Sequence, residues 1–164
     1  MTGGGLARTV AYALLALPLA FAPARTRLRV PRRLLREPVA ARRIGTGRCV
    51  AHSVLSAGPG VVAWFLLMLT VLGLVRGLLY PLVAANDYEN SWGGPTLVGA
   101  WAVHAAVSLV VAPLFLGVVA GLGRVQLRVT RAVFGGDGPW WVLPAAVVLT
   151  AAGALFFVSW VQQI

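Results

Sequence analysis

Val61–Leu79 reads VVAWFLLMLTVLGLVRGLL, apolar throughout except for Thr70 and Arg76. At about 1.5 Å of rise per residue, a helix over this stretch covers close to the ~30 Å hydrocarbon core of a bilayer. Three more apolar runs flank it, Leu6–Ala22, Leu97–Leu122 and Trp140–Val161. A soluble fold would have to bury all four in one small core, whereas a membrane asks only for lipid around them. The expectation is an all-α, polytopic integral membrane helical bundle of about four transmembrane helices. It forms a single domain with spans at 6–22, 61–79, 97–122 and 140–161.

Composition agrees with that reading. Of the 164 residues 59% are hydrophobic and 11% charged, and the mean hydropathy is +0.85, outside the soluble globular range. All fourteen basic residues are arginine, a bias of the kind GC-rich bacterial codons produce. A formal charge of +10 would invite a nucleic-acid partner in a soluble chain. Here nine arginines fall between Arg25 and Arg48, beside apolar spans, where charge first of all sets topology. No nucleic-acid partner is expected.

By the positive-inside rule the loop 24–48 is cytoplasmic, and Arg124, Arg128 and Arg131 after the third span agree with it. The first run resembles a signal peptide, with Arg8 at its start and A-x-A patterns at its end. The arginines that follow argue against export, so the run reads as a short first span with its N-terminus outside. Pro31 and Pro38 divide the basic segment into pieces too short for a long helix. Arg32, Arg33, Arg36, Arg42 and Arg43 are its candidates for contact with the anionic inner leaflet or a partner protein. A solvated positive-inside loop is the competing reading. Gly58-Pro59-Gly60 reads as a break ahead of the second span. Trp140, Trp141 and Trp160 sit where interfacial anchors belong.

The external loop 80–96 and its flanks carry the residues most suggestive of a site. Arg76 is an ionisable group inside a span, which is costly without a function or a partner, although it lies close enough to the end to snorkel. At about 100° per residue it lies some 40° from Tyr80 around the helix, beside the small-xxx-small pair Gly73 and Gly77. Trp101, His104 and Ser108 share one face of the third span. Arg76, Tyr80, Trp92, Trp101 and His104 would then line a polar pocket, with Asp87 and Glu89 able to close over it and pair with Arg76. A purely structural arginine–carboxylate clamp is the alternative. Trp92-Gly93-Gly94-Pro95 has the composition of a tight turn. Gly117 and Gly121 make a second small-xxx-small pair, and Ala146, Thr150 and Ala154 a comparable face on the last span. These faces suit packing within the bundle or a homo-oligomer.

Catalysis has little support. Ser108, His104 and Asp87 could be drawn as a triad, but no nucleophile elbow, HExxH or phosphate-binding glycine motif accompanies them. No cofactor is expected. Cys49 and His52 form a lone C-x-x-H, two ligands where a metal normally takes three or four, so no metal site is expected either.

The segments LLREP (Leu34–Pro38), VRGLLYP (Val75–Pro81), SWGGPTLVGAW (Ser91–Trp101) and RAVFG (Arg131–Gly135), with His104, resemble the multi-span sensor membrane domain of actinobacteria. That domain often precedes a cytoplasmic histidine kinase and also occurs alone. The resemblance spans roughly residues 34–135 and implies an outer face built on Arg76, Tyr80, Trp92, Gly93, Gly94, Trp101 and His104. This chain departs from the pattern by its short N-terminal portion and by a further span after Gly135, where a kinase linker would be expected. The implied function is a non-enzymatic sensor-like or accessory subunit of a bacterial plasma membrane, acting through another membrane or cytoplasmic signalling protein. The alternative is a small transporter or permease component working as an oligomer. Few polar residues occupy the inner halves of the spans, which favours the subunit.

Overall fold

In a computed structural model, which describes residues 3–42, 44–84 and 88–163, the chain is helical, with no strand among the described residues. The elements are α1 (Gly3–Leu14), α2 (Ala16–Ala20), α3 (Ala24–Leu34), α4 (Thr46–Leu78), α5 (Tyr80–Val83), α6 (Leu97–Thr130), a π-helical turn (Arg131–Gly135) and α7 (Val142–Val161). Among the described residues three helices are long and apolar enough to cross a membrane: α4, α6 with its π turn, and α7. The first apolar run is not among them. It forms α1 and α2 on either side of Leu15, although backbone bonds from Leu15 to Ala11 and from Leu19 to Leu15 carry the ladder across the break.

The chain forms two compact units, Met1–Trp64 with Val119–Ile164, and Phe65–Val118. In the first, Val129, Val133, Phe134, Val142 and Ala146 make one core, with Leu28, Cys49, Leu55 and Val125 packed on it. Tyr12, Leu19 and Leu127 make another, joined by Val30, Leu34 and Leu35. The basic segment is therefore neither a plain solvated loop nor a ribbon laid wholly on lipid. Its α3 is amphipathic, with Arg27, Pro31 and Leu34 turned inward while Arg25, Arg29, Arg32 and Arg33 are exposed. Pro31 sits in its last turn, and Arg36 beyond it takes a left-handed φ of 61°, which ends the helix.

Two differences from the sequence reading share one cause. The helix of the second span begins at Thr46 and runs through Gly58-Pro59-Gly60 without a break. The glycines serve contact instead. A β-carbon on Gly58 would stand 2.8 Å from Thr150 Oγ1, and one on Gly60 would stand 2.7 Å from the Leu17 backbone nitrogen. The motif is a notch for α7 and for the N-terminal helices, and close approach outweighs the breaking tendency of its residues. Thr150 packs as its small-residue face implied, whereas Ala154 is exposed. Added side-chain carbons on Gly117 or Gly121 would meet nothing within 4 Å among the described residues.

Proline 18 shows how the N-terminal break is repaired. Lacking an N–H, it leaves the Leu14 carbonyl without its helical donor. The Trp64 indole N–H supplies one at 3.0 Å.

Candidate functional site

In the Phe65–Val118 unit, α4 and α6 meet at Gly77, where a β-carbon would fall on the Ser108 hydroxyl and 2.7 Å from the His104 carbonyl. That approach opens a pocket of about 260 Å³ lined by Gly73, Arg76, Gly77, Trp92, Val103, His104, Val107 and Ser108. Tyr80, fully buried, stacks on His104 with ring centroids 4.2 Å apart and 23° between planes. Its hydroxyl donates to Ser91 Oγ at 2.6 Å, tying the ring to the loop.

The His104 tautomer follows from its partner. Nδ1 lies 2.8 Å from the Ala100 carbonyl, which can only accept, so Nδ1 carries the proton and Nε2 is the free acceptor of the neutral ring. The Ser108 hydroxyl has one proton to give and two backbone carbonyls to receive it, Gly73 at 2.8 Å and His104 at 2.7 Å. It is committed to holding two helices together.

The loop does what its composition asks. Ser91–Gly94 forms a turn closed by backbone bonds from Ser91 to Tyr88 and from Gly94 to Ser91. Gly93, at φ 89°, rests on Gly99 with no room for a side chain. Thr96 Oγ1 then caps α6 by accepting from the Gly99 N–H at 3.1 Å. At the end of α4 the chain breaks at Leu79, and the freed Leu78 carbonyl accepts from the Trp101 indole at 3.0 Å. This repeats the device at Trp64.

Of the residues singled out from sequence, Arg76, Trp92 and His104 line the pocket and Tyr80 supports it. Trp101 acts on the helix end, beside the pocket. Among the described residues Arg76 and Glu89 make no ion pair, Glu89 is exposed, and Asp87 lies outside the described residues. On the basic segment Arg32, Arg33 and Arg36 are exposed. Arg42 stands 3.7 Å from Asp137, and Arg43 lies outside the described residues.

A second polar centre was not legible as a site. Arg27 is buried at 6% exposure, and among the described residues no carboxylate pairs with it. Its Nε donates to the Ala22 carbonyl at 2.7 Å, while the two terminal nitrogens donate to Cys49 O at 2.7 Å and Ala20 O at 2.9 Å. Carbonyls at the end of α2, the negative pole of a helix, thus take the place of a counter-ion. The guanidinium also faces His52 Nδ1 at 3.3 Å. Since that nitrogen must accept, Nε2 carries the proton and donates to Thr130 Oγ1 at 3.0 Å. Thr130 donates to the Gln126 carbonyl at 2.9 Å, which leaves its lone pairs for His52 and for the Tyr12 hydroxyl at 3.2 Å. Gln126 Nε2 donates to Ser56 Oγ at 2.8 Å, and Gln126 Oε1 has no hydrogen-bond partner among the described residues.

The sequence did hold a signal for this centre. His52/Ser56 and Gln126/Thr130 are both polar pairs at i, i+4 on largely apolar helices. Below them, the carbonyl of Val133 is taken by the Arg48 guanidinium and that of Phe134 by the Arg42 N–H at 3.0 Å, closing the π turn. Among the described residues no three His, Cys, Asp or Glu converge as metal ligands would.

No family model, curated protein or solved structure matches the chain. The fold defines the class: an all-helical chain with three helices able to cross a membrane.

Proposed function

We propose that this chain is a non-enzymatic, sensor-like or accessory subunit of a bacterial plasma membrane that acts through a partner protein, with its recognition site at the Arg76–Trp92–His104 pocket. The observation that carries the reading is how that pocket spends its polar groups. Ser108 and His104 Nδ1 are consumed by backbone carbonyls, which leaves an apolar hollow edged by one guanidinium and one imidazole nitrogen. Such a surface suits an apolar group bearing an acceptor for the guanidinium and a donor for the imidazole nitrogen, and it offers no activated nucleophile.

The loop 80–96 faces outward in this account, and α1 with α2, joined by backbone bonds across Leu15, supplies a fourth membrane-inserted element. The sensor-domain resemblance falls on the same residues, Arg76, Tyr80, Trp92 and His104. A photo-crosslinking amino acid at Trp92, which is 79% exposed at the pocket rim, tests the reading in native membranes. The expected result is a discrete adduct with a different protein, weakened by Arg76→Gln. Adducts with this chain alone, unaffected by Arg76→Gln, would contradict it.

A further inference from the structure

The Met1–Trp64 and Val119–Ile164 unit contains a larger cavity, about 440 Å³, lined by Gly5, Arg8, Thr9, Leu35, Glu37, Arg124, Leu127, Arg128 and Arg131. Helix packing explains why four arginines meet there. Gly123 on α6 lies so close to the Thr9 carbonyl on α1 that no side chain fits between them. With α1 held against α6 there, Arg8 and Arg124 line one cavity, and Arg128 and Arg131 follow on the same face of α6 and its π turn at i+4 and i+7.

Charge in the cavity is unbalanced. Among the described lining residues four arginines face one glutamate, a formal +3 before any further contact Arg124 makes, and Glu37 is already held by Arg131. Arg128 is positioned as well, its guanidinium lying 5.1 Å from the centroid of the Trp141 ring. Arg8, Arg124 and Arg128 are exposed and Arg131 is half-buried, so an anion can reach them. Here they border a concavity whose wall also holds the buried Leu127 and the half-buried Leu35.

Guanidinium groups bind phosphate oxygens through paired N–H donors, and basic pockets between membrane helices take anionic headgroups. We infer that the Arg8–Arg124–Arg128–Arg131 cavity is a phosphate-binding site, filled either by the phosphate of an anionic lipid or by a free phosphate. The proposal is independent of the Arg76 pocket. It makes Glu37 a brake on the site, because the carboxylate occupies Arg131.

Two arms of one experiment separate the sources. Native mass spectrometry on protein released from nanodiscs of mixed phosphatidylcholine and phosphatidylglycerol reads lipid retention. Calorimetric titration of the protein in zwitterionic detergent with inorganic phosphate and with pyrophosphate reads the free anion. Preferential retention of phosphatidylglycerol identifies a lipid phosphate, and heat on titration without lipid preference identifies a free one.

In whichever arm responds, Arg8→Gln with Arg124→Gln should weaken binding about 25-fold, roughly fivefold for each arginine. Glu37→Gln should strengthen it about fivefold, a change of sign that loss of folding cannot produce. No response in either arm would overturn the proposal, as would binding that Glu37→Gln leaves unchanged or weakens.

Discussion

Replacing Arg27 by alanine removes the side chain on which three helix ends converge. Three backbone carbonyls, Ala20, Ala22 and Cys49, then lose a charged donor at 2.7–2.9 Å. The Ser53 hydroxyl can donate to Ala20, and Cys49, inside α4, keeps its helical backbone bond, so the Ala22 carbonyl is the one left without a partner among the described residues. At about 1–3 kcal/mol for a buried unsatisfied group, with the loss of the charged bonds to Ala20 and Cys49 added, the direct cost is roughly 2–4 kcal/mol. Part of it is returned, because the variant no longer pays to desolvate a cation. The net expectation is a loss of about 2 kcal/mol.

Arg27→Lys should fall between the two, since an ammonium keeps the charge but cannot reach three carbonyls in a planar fork. Unfolding in detergent, followed by intrinsic tryptophan fluorescence, measures both. A change of less than about 0.5 kcal/mol for Arg27→Ala, the scale of an ordinary surface substitution, would refute the reasoning.

Other perturbations test separate parts of the account in the same assay. Trp101→Phe keeps most of the ring but strips the Leu78 carbonyl of its donor, for an expected loss of about 1–2 kcal/mol; an unchanged melt would show that the carbonyl finds another partner. Gly77→Val drives a side chain into Ser108 and the His104 carbonyl and should cost about 1–3 kcal/mol, whereas Gly73→Ala, with nothing within 4 Å, should be neutral or mildly stabilising. Equal effects at the two glycines would contradict the packing described at α4 and α6. Arg36→Gly should raise stability by about 1 kcal/mol, because glycine adopts a φ of 61° without the penalty arginine pays; a lower melting temperature would mean that Arg36 contributes more through its side chain than it loses through its backbone.

Apolar length was the part of the fold most legible in the sequence. The third run begins at Leu97 as expected, and the fourth ends at Val161, because hydropathy and the Gly-Gly-Pro-Thr start are both local signals. What escaped depends on neighbours. Gly58-Pro59-Gly60 looks like a break in isolation and becomes a notch only when Thr150 and Leu17 press against it. In the same way α3 reads as a run of arginines until Leu28 and Val30 find a core to join.

The candidate site divides along the same line. Arg76, Trp92 and His104 could be brought together by counting residues along two helices, and they do line one pocket. Arg27 and His52 could not, since 25 residues and two turns of chain separate them. Their meeting depends on carbonyls at the end of α2, which no side-chain pattern reports.

The central claim, recognition at the Arg76 pocket on behalf of a partner, is tested most directly by purifying the wild-type chain and Arg76→Gln from native membranes in parallel. Each preparation is then assayed for co-purifying protein and for solute flux after reconstitution in liposomes. The account predicts a stoichiometric second protein with the wild type, diminished with Arg76→Gln, and no flux from either. Recovery of the chain alone, together with flux abolished by Arg76→Gln, would contradict it and establish the transporter reading instead.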